Sequence, residues 1–291
     1  MSYKPSPRPT FSEPTHLRYT EVTRHLWGDP DAGTVADWIY VSSDKIHQLI
    51  FGLAPGGSFR HSSEFRTIFG ADLVYYVLSG TMVIANPQTG EVHRVQPGQA
   101  AFFRRDTWHH AFNYNKEPLR VLEFFAPPPS QGTSGAYART KPLLDEVRYL
   151  QESALTRWPM EREAITRDHS IRVIGDEQLL WQLVEGEPQE VLVGLLVATE
   201  HLTVGKIFLL PGQHTEVQRH GGDESLYLLE GTAHIFCPEK EGQQWFELNP
   251  QDGFYLPAGA PHQYYNITDR PATLIFGVAP RYLAEDKEKQ S

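Results

Sequence analysis

Short apolar runs broken by glycine and proline follow one another along most of the chain. The run Leu73–Leu78 is typical, because it contains only branched and aromatic residues and is followed closely by Gly80. A second run of this kind begins at Tyr227 and ends in the same way, at Gly231. Runs of this length and composition, bounded by turn residues, predict β-strands. We therefore expect a chain of the all-β class.

Residues 252–266 predict two further strands separated by a turn that contains proline and glycine. The later strand opens at His262. Side chains two residues apart on a strand share a face, so His262 and Tyr264 should point in the same direction. By the same rule, Gln218 and His220 should share a face.

The apolar pattern occurs twice along the chain. The segment from Tyr76 matches the segment from Tyr227 at an offset of 151 residues, and five later pairs share an offset of 153. These pairs are Pro97 and Pro250, His109 and His262, Asn113 and Asn266, Pro118 and Pro271, and Pro127 and Pro280. Insertions in surface loops would produce such small changes of offset. The repeat predicts two copies of one β-domain, over residues 36–126 and 191–283.

The segments outside the two copies differ from them in composition. Residues 1–35 start with a proline-rich stretch, which predicts an extended arm. Residues 127–190 start with a linker rich in proline, serine and glycine and should end in lead-in strands. Within this segment, the spacing of apolar residues over 142–152 predicts a short amphipathic helix. Residues 284–291 form a charged tail.

The second copy carries a spaced set of residues with the chemistry of metal ligands. His220 and Glu224 lie four residues apart, and His262 follows 38 residues after the glutamate. Two imidazoles and one carboxylate can hold a divalent metal on one face and leave the opposite positions open. Structural sites are more often closed and cysteine-rich, whereas this chain has one cysteine. The set therefore predicts a metal that takes part in chemistry.

These segments resemble the paired motifs of the cupin superfamily. The first family motif is a glycine, then His-x-His, a glutamate and a further glycine. In this chain it reads Gly212, Gln218, His220, Glu224 and Gly231. The second family motif is a glycine, then Pro-x-Gly, a histidine and an asparagine. Here it reads Gln251, Pro257, Gly259, His262 and Asn266. Gln218 and Gln251 depart from the family pattern.

The resemblance implies two tandem cupin barrels, a bicupin, with His220, Glu224 and His262 as metal ligands. Gln218 replaces a fourth family ligand and could bind the metal weakly through its oxygen, hydrogen-bond a bound ligand, or be inert. Tyr264 should face the same cavity, where it could hydrogen-bond a substrate or act as an acid. The alternative is a core tyrosine whose hydroxyl is satisfied by its neighbours.

The first copy lacks part of this ligand set. Its glutamate position holds Leu73, which cannot bind a metal, so that His61 and His109 are the obvious ligands left. We expect the first barrel to have lost its metal or to bind one weakly, and to serve mainly in packing. A first site rebuilt with other ligands remains the alternative, and the candidates are His47, Glu64 and His110.

Three classes of function fit these residues. The favoured class, which the resemblance implies, is a non-haem dioxygenase that uses Fe(II) on a small substrate, with aromatic and diketone-type compounds as the candidates. The second is a non-redox isomerase, decarboxylase or hydrolase that uses Mn(II), Ni(II) or Zn(II). The third is a pirin-like binding or regulatory cupin without catalysis. The aromatic residues around the motifs favour an aromatic or planar substrate.

Charge and composition exclude other partners. The net charge of −10 argues against nucleic acid, which needs a basic surface. No apolar run approaches the roughly 20 residues of a membrane-spanning helix, and the first residues lack the apolar core of a signal peptide. We therefore expect a cytoplasmic protein with a small-molecule substrate. Barrel edges and the proline-rich arm predict a homodimer.

Overall fold

The strands of this protein form four antiparallel sheets in a computed structural model, two of seven strands, one of five and one of four. Strands make up 50% of the described residues and helices 4%, which confirms the all-β prediction. The structure describes residues 6–29, 32–60, 67–128, 135–144, 147–150 and 169–284.

The strands fall into two groups along the chain. The first group is β1 (Thr15–Leu17), β2 (Thr23–Asp29), β3 (Gly33–Ser42), β4 (His47–Leu53), β5 (Ser58–Phe59), β6 (Asp72–Ser79), β7 (Met82–Ala85), β8 (Val92–Val95), β9 (Ala100–Phe103), β10 (His110–Asn113) and β11 (Leu119–Ala126). The second group is β12 (Ile171–Ile174), β13 (Leu180–Val184), β14 (Gly186–Glu187), β15 (Val191–Ala198), β16 (Thr203–Leu209), β17 (His214–Thr215), β18 (Asp223–Glu230), β19 (Ala233–Phe236), β20 (Trp245–Leu248), β21 (Gly253–Leu256), β22 (Gln263–Tyr265) and β23 (Ala272–Ala279).

Two barrels result, and each encloses its interior between a large and a small sheet. In the first barrel the large sheet has the order β12-β9-β6-β11-β4-β3-β2, and the small sheet has the order β5-β10-β7-β8. In the second barrel the orders are β1-β21-β18-β23-β16-β15-β13 and β14-β17-β22-β19-β20. The two large sheets therefore have the same topology, as the sequence repeat predicts.

Each large sheet ends in a strand from outside its own barrel. The arm strand β1 pairs with β21 of the second barrel, with Thr15 opposite Tyr255. The linker strand β12 pairs with β9 of the first barrel, with Ile171 opposite Phe103. Residues 1–35 were predicted to form an extended arm, but they also contain β2, a strand of the first barrel. The two barrels thus exchange terminal strands within one chain.

The large sheets bury both of their faces, which explains why their strands read as continuous apolar runs. On β11, Val121 packs in the interior of the first barrel, and the next residue, Leu122, packs in the core between the barrels. Tyr227 of the second barrel lies in that shared core as well. Burying a large apolar side chain contributes roughly 1.5–3 kcal/mol. The shared core therefore holds the two barrels together.

The segment between the barrels contains little helix in its described part. Residues 142–144 are irregular, so the amphipathic helix predicted over 142–152 does not form there, and Leu144 instead packs on a small cluster that includes Trp108. One four-residue helix, Gly135–Ala138, and a 3₁₀ turn, Arg148–Leu150, occur nearby. Residues 145–146 and 151–152, and the tail beyond residue 284, lie outside the described residues.

Candidate metal centre

Three loop and strand ends of the second barrel position the predicted ligands. Glu224 is the second residue of β18, His220 lies three residues before the start of β18, and His262 immediately precedes β22. The backbones of Gln218 and His262 donate to each other's carbonyl oxygens at 2.8 and 3.1 Å, and the Gly259 N–H donates to the His220 carbonyl at 2.8 Å. The segments that carry the two histidines are therefore tied together by main-chain bonds.

The three side chains converge on one buried point. Glu224 Oε2 lies 3.5 Å from His220 Nε2 and 3.2 Å from His262 Nε2. The three ligand atoms all lie within 4.8 Å of one another. His220 is 8% exposed, and Glu224 and His262 are each 1% exposed. The structure thus brings together all three residues that the sequence predicts as ligands.

Hydrogen bonds on the far side of each ring leave the inner nitrogens as acceptors. His220 Nδ1 donates to the Tyr282 carbonyl at 2.8 Å, and His262 Nδ1 donates to the Ala260 carbonyl at 3.0 Å. Because a carbonyl only accepts, Nδ1 carries a proton in each ring, and in the neutral form of either ring Nε2 carries a lone pair. Burial lowers the pKa of His262 and outweighs the opposing charge of Glu224, which favours the neutral ring.

This arrangement directs lone pairs at one another. Glu224 Oε2 and His262 Nε2 are buried and have no hydrogen-bond partner. Buried acceptors without a donor are costly, at about 1–3 kcal/mol each. A divalent cation among the three atoms would satisfy them, and carbonyl acceptors behind metal-binding histidines fix their orientation in this way. The residues present therefore fit a bound metal ion.

Tyr264 holds the glutamate from the other side. Its hydroxyl donates to Glu224 Oε1 at 2.8 Å, and the side chain is fully buried. Burial, and then the charge and hydrogen bond of Glu224, raise the pKa of Tyr264 well above its ordinary value. The tyrosine therefore keeps its proton and fixes the carboxylate, so that Oε2 faces the two histidines. Tyr264 points to the same side as His262, as the two-residue spacing on a strand predicts.

The walls around the ligands are apolar and aromatic. The residues opposite Glu224 on the neighbouring strands are Leu256 and Val278. The Tyr282 ring stacks on His220 at 4.6 Å between ring centroids. Arg219, the nearest arginine in sequence, turns to the surface and donates to the Gly259 carbonyl at 2.8 Å and to Glu239 at 2.6 Å.

Gln218 takes part in the site through its backbone. Its N–H and carbonyl fix the position of His262, and its half-buried side chain makes no hydrogen bond to another described residue. A role for the Gln218 amide toward a metal or substrate stays a prediction.

Residues that hold β18 beside Glu224 could not be predicted from the motifs. Lys45 Nζ of the first barrel lies 2.8 Å from Asp223 Oδ1, and the Tyr255 hydroxyl donates to Asp223 Oδ2 at 2.7 Å. On the other side of Glu224, Ser225 hydrogen-bonds Gln48, also from the first barrel. The repeat offered a signal, because an aspartate stands immediately before the glutamate position in both copies.

The first barrel has a different arrangement at the matching position. His109 is fully buried, its Nδ1 lies 3.2 Å from the Thr107 carbonyl, and its Nε2 lies 2.9 Å from the Tyr75 hydroxyl. Leu73 is buried in the interior of this barrel. His61 lies outside the described residues. In the first barrel, the Tyr75 hydroxyl therefore lies against His109 Nε2. In the second barrel, the matching atom, His262 Nε2, faces the Glu224 carboxylate.

Comparison with known proteins agrees with this architecture. A family model for the cupin domain matches residues 50–125 and 206–278, one match in each barrel, which together make up half of the chain. The paired barrels and paired matches define a bicupin. The chain belongs to the cupin domain family. No curated protein matches its sequence, and no described helix is long and apolar enough to cross a membrane.

Several solved structures share the fold across nearly the whole chain. The protein Ylba from E. coli is 10% identical with a TM-score of 0.61, and the match covers 94% of this chain and 93% of that one. A putative glyoxylate-induced protein from Pseudomonas aeruginosa is 16% identical with a TM-score of 0.61, with coverages of 97% and 98%. An oxalate decarboxylase mutant from Bacillus subtilis is 15% identical with a TM-score of 0.58, with coverages of 95% and 80%.

Proposed function

We propose that this protein is a metal-dependent enzyme, a non-haem dioxygenase whose Fe(II) is held by His220, Glu224 and His262. The observation that carries the proposal is the convergence of three buried side chains, among which Glu224 Oε2 and His262 Nε2 have no hydrogen-bond partner. Two histidines and one carboxylate that leave coordination positions open are typical of non-haem Fe(II) oxygenases. When bound, Fe(II) would supply redox chemistry with dioxygen. The protein residues have three tasks around it.

The first task is to hold the ligand atoms in place. The carbonyls behind the two rings set the tautomers, and Tyr264 sets the direction of Glu224. Such supporting partners typically change metal affinity by 10–100-fold when they are removed. Main-chain bonds between Gln218 and His262 add rigidity. Lys45 and Gln48 of the first barrel extend this support to β18.

The second and third tasks are to exclude water and to orient a substrate. Leu256, Val278 and Tyr282 present apolar or aromatic surface around the ligands. Such walls suit a planar substrate with an apolar body and two oxygen atoms that can chelate a metal, such as a catechol or a diketone. A dicarboxylate such as oxalate, named for the B. subtilis relative, fits less well, because Arg219 turns away to the surface.

Oxygen consumption by the metal-loaded protein tests the proposal. The protein is loaded with Fe(II) and ascorbate and offered a panel of catechols and diketones in an oxygen electrode. We expect substrate-dependent oxygen uptake that His262→Ala abolishes. His109→Gln is the matched control, because it changes the equivalent histidine of the first barrel, and it should retain uptake.

The alternatives give different results in the same assay. Turnover that continues under strict anaerobiosis would assign the site to a non-redox isomerase, decarboxylase or hydrolase using Mn(II), Ni(II) or Zn(II). Ligand binding without turnover under either condition would indicate a binding or regulatory cupin.

A further inference from the structure

We propose that Glu91, His93 and His169 form a second metal site, which binds a divalent cation of the zinc class on the outside of the first barrel. The site is separate from the ligand set of the second barrel and does not depend on the function proposed for it. Glu91 and His93 lie at the start of β8, and His169 lies just ahead of β12. A metal bound here would join the linker to the first barrel.

The three side chains meet with the geometry of a ligand set. Their ligand atoms all lie within 4.8 Å of one another, and His93 Nε2 lies 3.1 Å from Glu91 Oε2. The rings of His93 and His169 are nearly perpendicular, at 85°, with centroids 5.2 Å apart. Two imidazole nitrogens and one carboxylate oxygen suit Zn(II), with water in the remaining position.

The glutamate is oriented from behind. Its Oε1 accepts from the Ser170 N–H at 2.9 Å, from the Ser170 hydroxyl and from the Thr89 hydroxyl at 3.2 Å. The second oxygen of the carboxylate, Oε2, faces His93. Outer hydrogen bonds orient metal-binding carboxylates in the same way.

The second histidine has nitrogen atoms available for a metal. Within the described part of the chain, neither ring nitrogen of His169 has a hydrogen-bond partner, and the ring contacts His93. The His93 side chain is 17% exposed, so an ion can reach the site from solvent. A simple ion pair would explain the contact between Glu91 and His93. It would leave the convergence of His169 on the same point unexplained.

A metal bound at this site would stabilise the pairing of β12 with the first barrel. Ser170 hydrogen-bonds Glu91 and is followed directly by β12. Asn86 Nδ2 of the first barrel donates to the Ser170 hydroxyl at 2.8 Å. A cation that binds only the folded chain stabilises it by mass action. Saturating Zn(II) should therefore raise the melting temperature by about 5 °C.

Zinc stoichiometry in variants of the full chain tests the proposal. The His262→Ala background removes one of the three second-barrel ligands and so weakens zinc binding there, which lets zinc bound to the first barrel be counted. After loading with Zn(II) and dialysis, elemental mass spectrometry should find about one zinc per chain in His262→Ala. It should find none when His169→Gln or His93→Gln is added. The melting-temperature rise with Zn(II) should disappear in the same variants.

A matched control uses another surface pair of histidine and glutamate. His201 Nε2 lies 3.7 Å from Glu200 Oε1, and His201→Gln in the same background should retain the zinc. Absence of zinc from His262→Ala, or retention of zinc after His169→Gln and His93→Gln, would overturn the proposal and leave an ion pair only. These outcomes are independent of the oxygen-uptake assay, which reads out the second barrel.

Discussion

The two barrels share their sheet order but differ around one histidine. In the second barrel, His262 Nε2 faces Glu224 Oε2 at 3.2 Å and neither atom has a hydrogen-bond partner. In the first barrel, Nε2 of the matching His109 lies 2.9 Å from the Tyr75 hydroxyl. Leu73 takes the place of Glu224. The same sheet order therefore supports a set of candidate metal ligands in the second barrel and a hydrogen bond between histidine and tyrosine in the first.

The two barrels also carry the tyrosine that contacts their site on different strands. Tyr264 lies on β22 and donates to the glutamate, whereas the matching residue of the first barrel is Ala111. The first barrel instead carries Tyr75 on β6, next to the histidine. In the second barrel, the Tyr264 hydroxyl on β22 orients Glu224. In the first barrel, the Tyr75 hydroxyl on β6 hydrogen-bonds His109 Nε2, the atom that would otherwise be able to bind a metal. The two copies therefore differ by more than one carboxylate.

Giving the second barrel the leucine that the first barrel carries should have the largest effect on metal affinity. Glu224→Leu introduces the residue that occupies the same position, Leu73, in the first barrel. We expect the fold to persist and the affinity of this site for Fe(II) to fall by more than about 100-fold, because a ligand is lost and not only a supporting group. Competition with a chromophoric chelator measures the affinity. Leu73→Val is the control, and unchanged affinity in Glu224→Leu would contradict the ligand assignment.

Removing each tyrosine hydroxyl should separate the two roles. Tyr264→Phe frees Glu224 to rotate, so metal affinity should fall by about 10–100-fold. Tyr75→Phe should leave metal affinity unchanged and cost about 1–3 kcal/mol of unfolding free energy, because His109 Nε2 loses its buried partner. Denaturant unfolding and metal titration of both variants test this. Equal effects of the two changes on metal affinity would count against the comparison.

The first barrel should also show a pH dependence of its own. Asp37 on β3 is buried, and burial raises its pKa to about 8. The unfolded chain releases this proton near its ordinary pKa, 3.8, while the folded chain retains it. Stability is therefore fully present below about pH 4 and falls as the pH rises toward 8, by at most about 1.4 kcal/mol per pH unit.

Asp37→Asn tests this dependence. The variant should lose less stability between pH 5 and pH 8 than the unchanged protein does, as measured by thermal unfolding at both pH values. Asp269→Asn, at an exposed aspartate, should behave like the unchanged protein. An equal loss of stability in Asp37→Asn would show that Asp37 ionises normally in the fold.

The repeat and the motifs were sufficient to predict the two barrels and the convergence of His220, Glu224 and His262. Matching positions such as His109 and His262 fix corresponding strands, and spacing on a strand predicts the shared face of His262 and Tyr264. The sequence did not reveal the partner of His109, because Tyr75 lies in an apolar run and reads as a core residue. It did not reveal the contact of Lys45 with Asp223 either. That contact depends on how two separate barrels pack.

The strand exchange has a consequence for synthesis of the chain on the ribosome. β12 follows its partner β9 in the sequence, so the large sheet of the first barrel can close once residue 174 has emerged. β1 is made early, yet Thr15 pairs with Tyr255, 240 residues later. At about 5–20 residues per second, the nascent strand waits roughly 12–48 s for its partner. From the emergence of residue 174 until the end of that interval, a completed first barrel carries an unpaired strand, with which the last part of the chain to be made must pair.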